Sequence, residues 1–344
     1  MLEGFGLKQE KLEDYSLLKV MATVLVVFAH ITGMYTDEGV LAPLNQSPFF
    51  DYITKLIYSY HMPLFIFVSG AIYSYLRNKK GKYSDIKAFA ENKAKRLMWP
   101  YLVFGIAYVT PVMVGLGFTD ENAWMYMLKG IILSENPRHL WYLFGLFNIF
   151  IVFRLSEDHI KTLPDSVKLL CLLMLYLVSP HIPMAFQLKS ISRYLIYFYM
   201  GYAFQESKGL YLSILKPSLK TLILSLSINI GLIQYAAAYA VKGQALQIIV
   251  LLEALTGILA IYSFAALLLK TNILENKAYK RLEKNSFGIY LFHPMIIYGL
   301  FYCWAHLDVP PLLLILVIFC ITMYLSDLLT EGMRRLNWQK LIGE

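Results

Sequence analysis

The chain has 344 residues, 58% of them hydrophobic and 16% charged, with a mean hydropathy of +0.54, against roughly 45–50% apolar and about 25% charged in soluble domains. That balance excludes a soluble globular enzyme and points to an integral membrane protein built from many apolar helices. The formal charge of +8 does not mark a nucleic-acid binder, because the Lys and Arg residues flank apolar runs instead of alternating with exposed aromatics on a soluble module.

In chain order, ten apolar runs of roughly membrane-spanning length stand near 16–36, 51–76, 97–117, 139–154, 166–180, 191–206, 219–240, 245–269, 286–304 and 311–329. The fold class they predict is all-α, a polytopic transmembrane helical bundle. Before the first run, Lys8-Gln9-Glu10-Lys11-Leu12-Glu13-Asp14 has no signal-peptide layout, so that run is expected to be a retained span. The loops around 77–96, 154–168, 208–220, 270–284 and 334–340, with the N-terminus, hold most of the 31 Lys and Arg. By the positive-inside rule these loops and both termini are expected in the cytoplasm. On the other side, residues 123–133 are too short to span and amphipathic enough to lie in the interface or re-enter. Cys171, Cys303 and Cys320 show no metal or redox spacing and are expected to be packing residues. With no repeat, low-complexity tract or long linker, residues 1–344 form one expected domain.

The first span carries the chemistry. Lys19 and His30 are eleven residues apart, which on a helix is a rise of roughly 16 Å and a rotation about 20° past three turns, so both share a face. Lys19 then sits at one membrane surface and His30 about halfway through. His61 and His293 fall at similar depth in the second and ninth spans, and His139 opens the fourth at the outer surface. Ionisable residues in mid-membrane are costly and face an interior cavity or a partner. Glu253 interrupts the apolar run 246–252; it either orients a histidine or makes a structural ion pair, with Lys55 as the candidate partner. There is no GxxxxGK[ST] loop, no HExxH and no GxSxG elbow, so ATP-driven pumping, zinc hydrolysis and serine-hydrolase chemistry lack their usual parts. No metal site is read.

Five separated blocks give a further signal. Lys19-x10-His30 resembles a basic-x10-His signature; His61-Met62-Pro63-Leu64-Phe65-Ile66-Phe67-Val68-Ser69-Gly70 resembles "HMPLFFFxSG"; Arg96-Leu97-x-x-Pro100-Tyr101, with Lys93 three residues earlier, resembles "RLxxPY"; His139-Leu140-Trp141-Tyr142-Leu143 resembles "HLWFL"; and Ser286-Phe287-Gly288-Ile289-Tyr290-Leu291-Phe292-His293 resembles "SxGIYLxH". In this order and spacing, from about residue 14 to 330, the chain resembles the acyltransferase-3 family, integral-membrane bacterial enzymes that O-acylate sugars and other envelope molecules from cytosolic acetyl-CoA. Lys19 stands where arginine is common, a point charge in place of a bidentate fork.

The resemblance implies a cell-membrane O-acetyltransferase with acetyl-CoA as co-substrate, no permanently bound cofactor, and a polysaccharide or lipid-linked sugar as acceptor. Lys19, Lys93 and Arg96 would hold the donor's phosphates. His30 would be the general base, since imidazole titrates near neutral pH, with His61 or Glu253 orienting it. His139, Trp141, Ser286, Tyr290 and His293 are assigned to acceptor contact or to the polar framework. The partners are membrane lipids and these substrates, not nucleic acid, with room for a homo-oligomer. The alternatives are a secondary transporter or flippase of an envelope precursor, which also needs midplane polar residues, and a non-catalytic signalling or scaffold protein.

Overall fold

The computed structural model describes residues 12–37 and 39–344; the N-terminal stretch with Lys8 and Lys11 lies outside the described residues. The architecture is carried by α1 Glu13–Thr32, α2 Pro48–Ser74, α3 Ile86–Gly115, α4 Arg138–Ile160, α5 Asp165–Val178, α6 Leu188–Glu206, α7 Lys208–Leu215, α8 Leu219–Ala238, α9 Gly243–Leu268, α10 Lys277–Trp304 and α11 Pro311–Arg335, with no strand among the described residues. All ten apolar runs form helices. Eight of these, α1 to α4 and α8 to α11, are long and apolar enough to cross a membrane. At 14 residues, α5 reaches only about 21 Å against a hydrocarbon core of roughly 30 Å. Lys189 and Arg193 make the first turns of α6 polar.

Local chemistry sets the helix ends. The Asp85 carboxylate accepts from the N–H groups of Lys87 and Ala88 to start α3, and the Asn276 side chain does the same for Ala278 and Tyr279 at α10. Within α3, Pro100 has no N–H to offer the Arg96 carbonyl, and the helix widens into a π turn over Ala94–Met98. The same loss of a donor occurs in α2 at Pro63 and in α10 at Pro294, next to His61 and His293.

At the centre, α2 packs on α1, α6 and α9, and α1 packs on α10. The tightest crossing is α2 on α6. A Cβ on Gly70 would run into the Phe198 carbonyl group, and one on Gly201 into that of Phe67, so two backbones touch where no side chain fits. At the basic end, Arg154 donates from Nε to the Tyr83 carbonyl at 3.0 Å and from Nη2 to that of Ser84 at 3.1 Å, while Tyr73 donates to Glu157 at 3.0 Å. These bonds hold the basic loop between α2 and α3 down on α4. At the far end, the segment 123–132 is short and helical, burying Tyr126 and Ile131 and exposing Trp124, Leu128 and Ile132, the two-sidedness its sequence predicts. The cysteines correct the sequence reading: Cys171, Cys303 and Cys320 are all exposed on the outside of the bundle and pack no core.

Gly70→Ala and Gly201→Ala should each destabilise the protein by about 1–3 kcal/mol, the usual cost of overpacking a core, read as a lower unfolding temperature in detergent. Gly299→Ala, with open space around the new methyl, is the control and should not lower it.

Candidate active site

Two polar features lie inside the bundle, one above the other. The first is a cavity of about 300 Å³ opening at the basic end, with Lys93, Arg96, Lys284 and Glu344 toward its mouth and Lys19, Thr23, Ser69, Tyr142, Ser286 and Tyr290 among its walls. Five residues singled out in the sequence, Lys19, Lys93, Arg96, Ser286 and Tyr290, thus share one space. Lys93 is fixed there by aromatics, its Nζ 3.7 Å from the Phe150 ring centroid and 5.2 Å from that of Tyr83, a cation–π arrangement that holds the charge at the wall. The π turn carries Arg96, whose carbonyl, freed by Pro100, faces Gly343. That glycine has φ +73°, and a Cβ there would stand 2.6 Å from the Arg96 oxygen, so the C-terminal turn closes tightly on one side of the mouth.

Beyond the inner wall stand the histidines. His30 Nδ1 lies 2.8 Å from the Val26 carbonyl, His61 Nδ1 3.0 Å from that of Ile57 and His293 Nδ1 3.0 Å from that of Ile289, each one turn back on its own helix. A carbonyl only accepts, so the proton of each neutral ring is assigned to Nδ1 and the Nε2 lone pair is left free. His293 Nε2 comes within 3.4 Å of His30 Nδ1, where it can share that proton with Val26. The His30 and His293 ring centroids are 5.0 Å apart, and those of His139 and His293 5.8 Å. Tyr58 bridges to His61, at 6.3 Å from His30 and 5.0 Å from His61 between centroids. His61, His139 and His293 are 6%, 6% and 0% exposed, whereas His30 is only partly buried. Of the four, His30 is thus the one with the most exposed surface.

His139 differs from the sequence expectation of an outer-surface residue, since it is buried in this cluster. Its Nε2 donates to the Leu291 carbonyl at 3.2 Å, and the Tyr290 hydroxyl donates to the His139 carbonyl. Two reciprocal bonds thereby latch the start of α4 to α10. His139 Nδ1 is buried and finds no partner among the described residues. Tyr290 stands in both features, a wall of the cavity with its ring 5.6 Å from His139 and 6.0 Å from His293. The cavity reaches Thr23, so roughly two turns of α1, about 10 Å, separate it from His30, with Tyr290 and Tyr142 at its inner wall.

Two singled-out residues lie elsewhere. The Trp141 ring stacks on Tyr194 at 5.1 Å between centroids, outside the cavity. Glu253 is buried on α9, its carbonyl accepting from Asn229 at 2.6 Å; among the described residues no hydrogen bond, ring contact or ion pair joins it to any histidine. Nor does it pair with Lys55, whose ammonium meets Asp51 at 2.7 Å. The residues that the sequence reading passed over are Tyr142, Ser69 and Thr23 on the walls and Glu283, Lys284 and Glu344 near the mouth. Tyr142 and Ser69 fall within quoted motif blocks, and that is the signal that pointed to them. No group of three or more His, Cys, Asp or Glu among the described residues is placed to hold a metal.

A cation-rimmed cavity that ends beneath buried histidines, inside apolar helices, defines a multi-pass membrane protein with an enzyme-like site. The family model for the acyltransferase domain, Acyl_transf_3, matches residues 12–331, and the chain belongs to that family of membrane acyltransferases. No curated relative and no solved structure matches it.

Tyr290→Phe deletes the donor of one half of the α4–α10 latch. It should cost about 0.5–1.5 kcal/mol, the net worth of one buried hydrogen bond, and show as a drop in unfolding temperature in detergent; an unchanged midpoint would mean that the latch does not hold the two helices.

Proposed function

We propose that the chain transfers an acetyl group from cytosolic acetyl-CoA to a hydroxyl of a cell-surface polysaccharide or its lipid-linked sugar precursor, from a multi-pass plasma-membrane position with both termini cytoplasmic. The observation that carries this reading is the alignment of a cation-mouthed cavity with the one partly exposed histidine of the cluster. Lys93, Arg96 and Lys19 offer the donor's phosphates three positive groups, and charge-assisted bonds to phosphate are the strong ones. Phe65, Val68, Leu146 and Phe150 give the same cavity apolar walls, suited to a pantetheine arm and a short acyl group. Donor from one side and acceptor from the other would meet at His30.

The chemistry follows from the tautomer. His30 Nε2, unprotonated, takes the proton of the acceptor hydroxyl as its oxygen attacks the thioester carbonyl. The C–S bond then breaks, and the thiolate of CoA leaves with the proton that His30 received. His293 Nε2, facing the His30 Nδ1–H, steadies the ring and favours the imidazolium formed during transfer. His30, His61 and His139 each commit one nitrogen to a carbonyl and present the other as an acceptor, which fits a substrate that arrives with a hydroxyl to donate. Binding both substrates in one interior also removes the entropy of bringing them together.

His30→Ala should fold, bind acetyl-CoA, and lose transfer by at least about 10²-fold, the low end for a general base. The assay uses purified protein, labelled acetyl-CoA and a mixture of lipid-linked glycans, with binding and transfer measured separately; wild-type transfer by the variant would end the assignment. In the same assay Lys19→Ala and Arg96→Ala should weaken acetyl-CoA binding about ten- to a hundredfold, the equivalent of one charge-assisted contact worth roughly 1.5–3 kcal/mol. Unchanged affinity in both would remove the donor from this cavity.

A further inference from the structure

At the end of the bundle opposite the cavity mouth, four non-glycine residues adopt left-handed backbone: Ser134 at φ 55°, Arg138 at φ 51°, Phe186 at φ 52° and Gln187 at φ 59°. Such conformations are costly for residues with a Cβ and persist where their surroundings impose them, often at functional sites. Three of the four are imposed by visible bonds between two loops. Phe186 N–H donates to the Leu133 carbonyl at 2.7 Å, and Gln187 Nε2 donates to the Ser134 carbonyl at 2.7 Å and to its hydroxyl at 3.1 Å. Arg138 has no comparable bond; it follows these cross-bonded loops at the start of α4 and is partly buried, its Nε fully so.

That side chain has no counter-ion among the described residues. Its Nε is buried and has no hydrogen-bond partner among the described residues, and none of their carboxylates pairs with it. The acid nearest in sequence, Glu135, is exposed and forms no ion pair among the described residues, and Glu121 is taken by Lys129 at 3.1 Å. What surrounds the guanidinium is aromatic and uncharged: the buried Tyr126 phenol oxygen lies within side-chain hydrogen-bonding reach of it and the Tyr298 phenol close enough to interact electrostatically, while Tyr126 spends its own proton on the Asn136 carbonyl at 3.2 Å. A partly buried guanidinium with only neutral partners is best satisfied by a counter-ion. Here the protein supplies none. The next residue in the chain is His139, one Cα step of about 3.8 Å away and part of the histidine cluster.

We infer that Arg138 is the receptor for an oxyanion carried by the acceptor, a phosphate or a carboxylate close to the hydroxyl that is acylated. The planar fork of arginine matches both groups bidentately, and its place beside His139 orients the acceptor's hydroxyl toward the histidines. This deepens the acceptor reading above and rests on it: the acceptor class narrows to anionic glycans or diphosphate-linked sugars.

The test is direct binding by purified full-length protein in a neutral maltoside detergent. Farnesyl diphosphate probes the phosphate source and trigalacturonate the carboxylate source, with farnesol and maltotriose as uncharged controls. The wild type should bind at least one anionic probe, and Arg138→Gln should weaken that probe about ten- to a hundredfold while Arg138→Lys keeps part of the affinity. Uncharged controls should not respond to either change. Acetyl-CoA affinity of Arg138→Gln should equal wild type, which shows that the variant is folded and separates this site from the donor cavity. Whichever anion binds names the source. Failure of the wild type to bind either anionic probe, or equal binding by Arg138→Gln, overturns the inference while leaving acetyl transfer intact. So does a loss confined to phosphatidylglycerol vesicles, which would make Arg138 a lipid anchor. Conversely, absent acetyl-CoA binding or transfer with Arg138-dependent anion binding preserved would sink the acetyltransferase reading alone.

Discussion

The backbone contact between α2 and α6 at Gly70 and Gly201 is the constraint on which the rest of the interior depends. Helices in lipid gain little from hiding apolar side chains from one another, so close approach and interhelical hydrogen bonds must supply the specificity of packing. By meeting carbonyl to Cα, the two helices fix the rotation of α2, and α2 carries His61, Phe65 and Ser69 on the faces this rotation selects. Turning α2 by one residue, about 100°, would take Ser69 out of the cavity and His61 out of the cluster. The serine and glycine that close the HMPLFIFVSG block are therefore coupled: Gly70 sets the angle at which Ser69 is used.

A second constraint, the α4–α10 latch, sets the wall between the two polar features. Tyr290 contributes its ring to the cavity and its hydroxyl to the latch, and His139 returns a bond to the neighbouring Leu291 carbonyl. Because one side chain serves both spaces, the wall cannot be shifted at one without disturbing the other. The two polar spaces thus approach each other closely, with Tyr290 shared between them.

Much of this was legible in the sequence, and the limits have physical causes. All ten apolar runs became helices because apolar length and flanking polarity are local properties. The union of Lys19 with Lys93 and Arg96 was foreshadowed by motif spacing, though their meeting depends on Pro100 and the π turn that re-aims Arg96, which periodicity alone does not reveal. A position at a span end puts His139 at the outer surface by sequence, but the 3₁₀ turn Arg138–Leu140 carries it into the interior, where its ring bonds the Leu291 carbonyl of α10. Glu253 reads as a partner for the histidines when depth is the only coordinate, but on α9 its carboxylate meets no histidine among the described residues, and its backbone carbonyl accepts from Asn229 instead. The cysteines erred for a related reason: within lipid, an apolar residue gains as much facing outward as inward, so composition carries no inside–outside signal for them.

The histidine cluster shows how a helix bundle can hold several imidazoles in apolar surroundings and still leave them useful. Each of His30, His61 and His293 satisfies one nitrogen on the carbonyl a turn below it, a bond that needs no partner helix and survives small changes in packing. The other nitrogen is thereby committed to the lone-pair form. Buried groups that can only accept are stable together only if something donates between them, and within the cluster one such donation is visible, from His30 Nδ1 toward His293 Nε2 at 3.4 Å. The remaining acceptors, including the unpartnered His139 Nδ1, outnumber the donors. A donor group entering beside His30 would bring the proton the cluster lacks, so the imbalance that makes the site costly to fold is also what leaves it ready to accept a hydrogen bond.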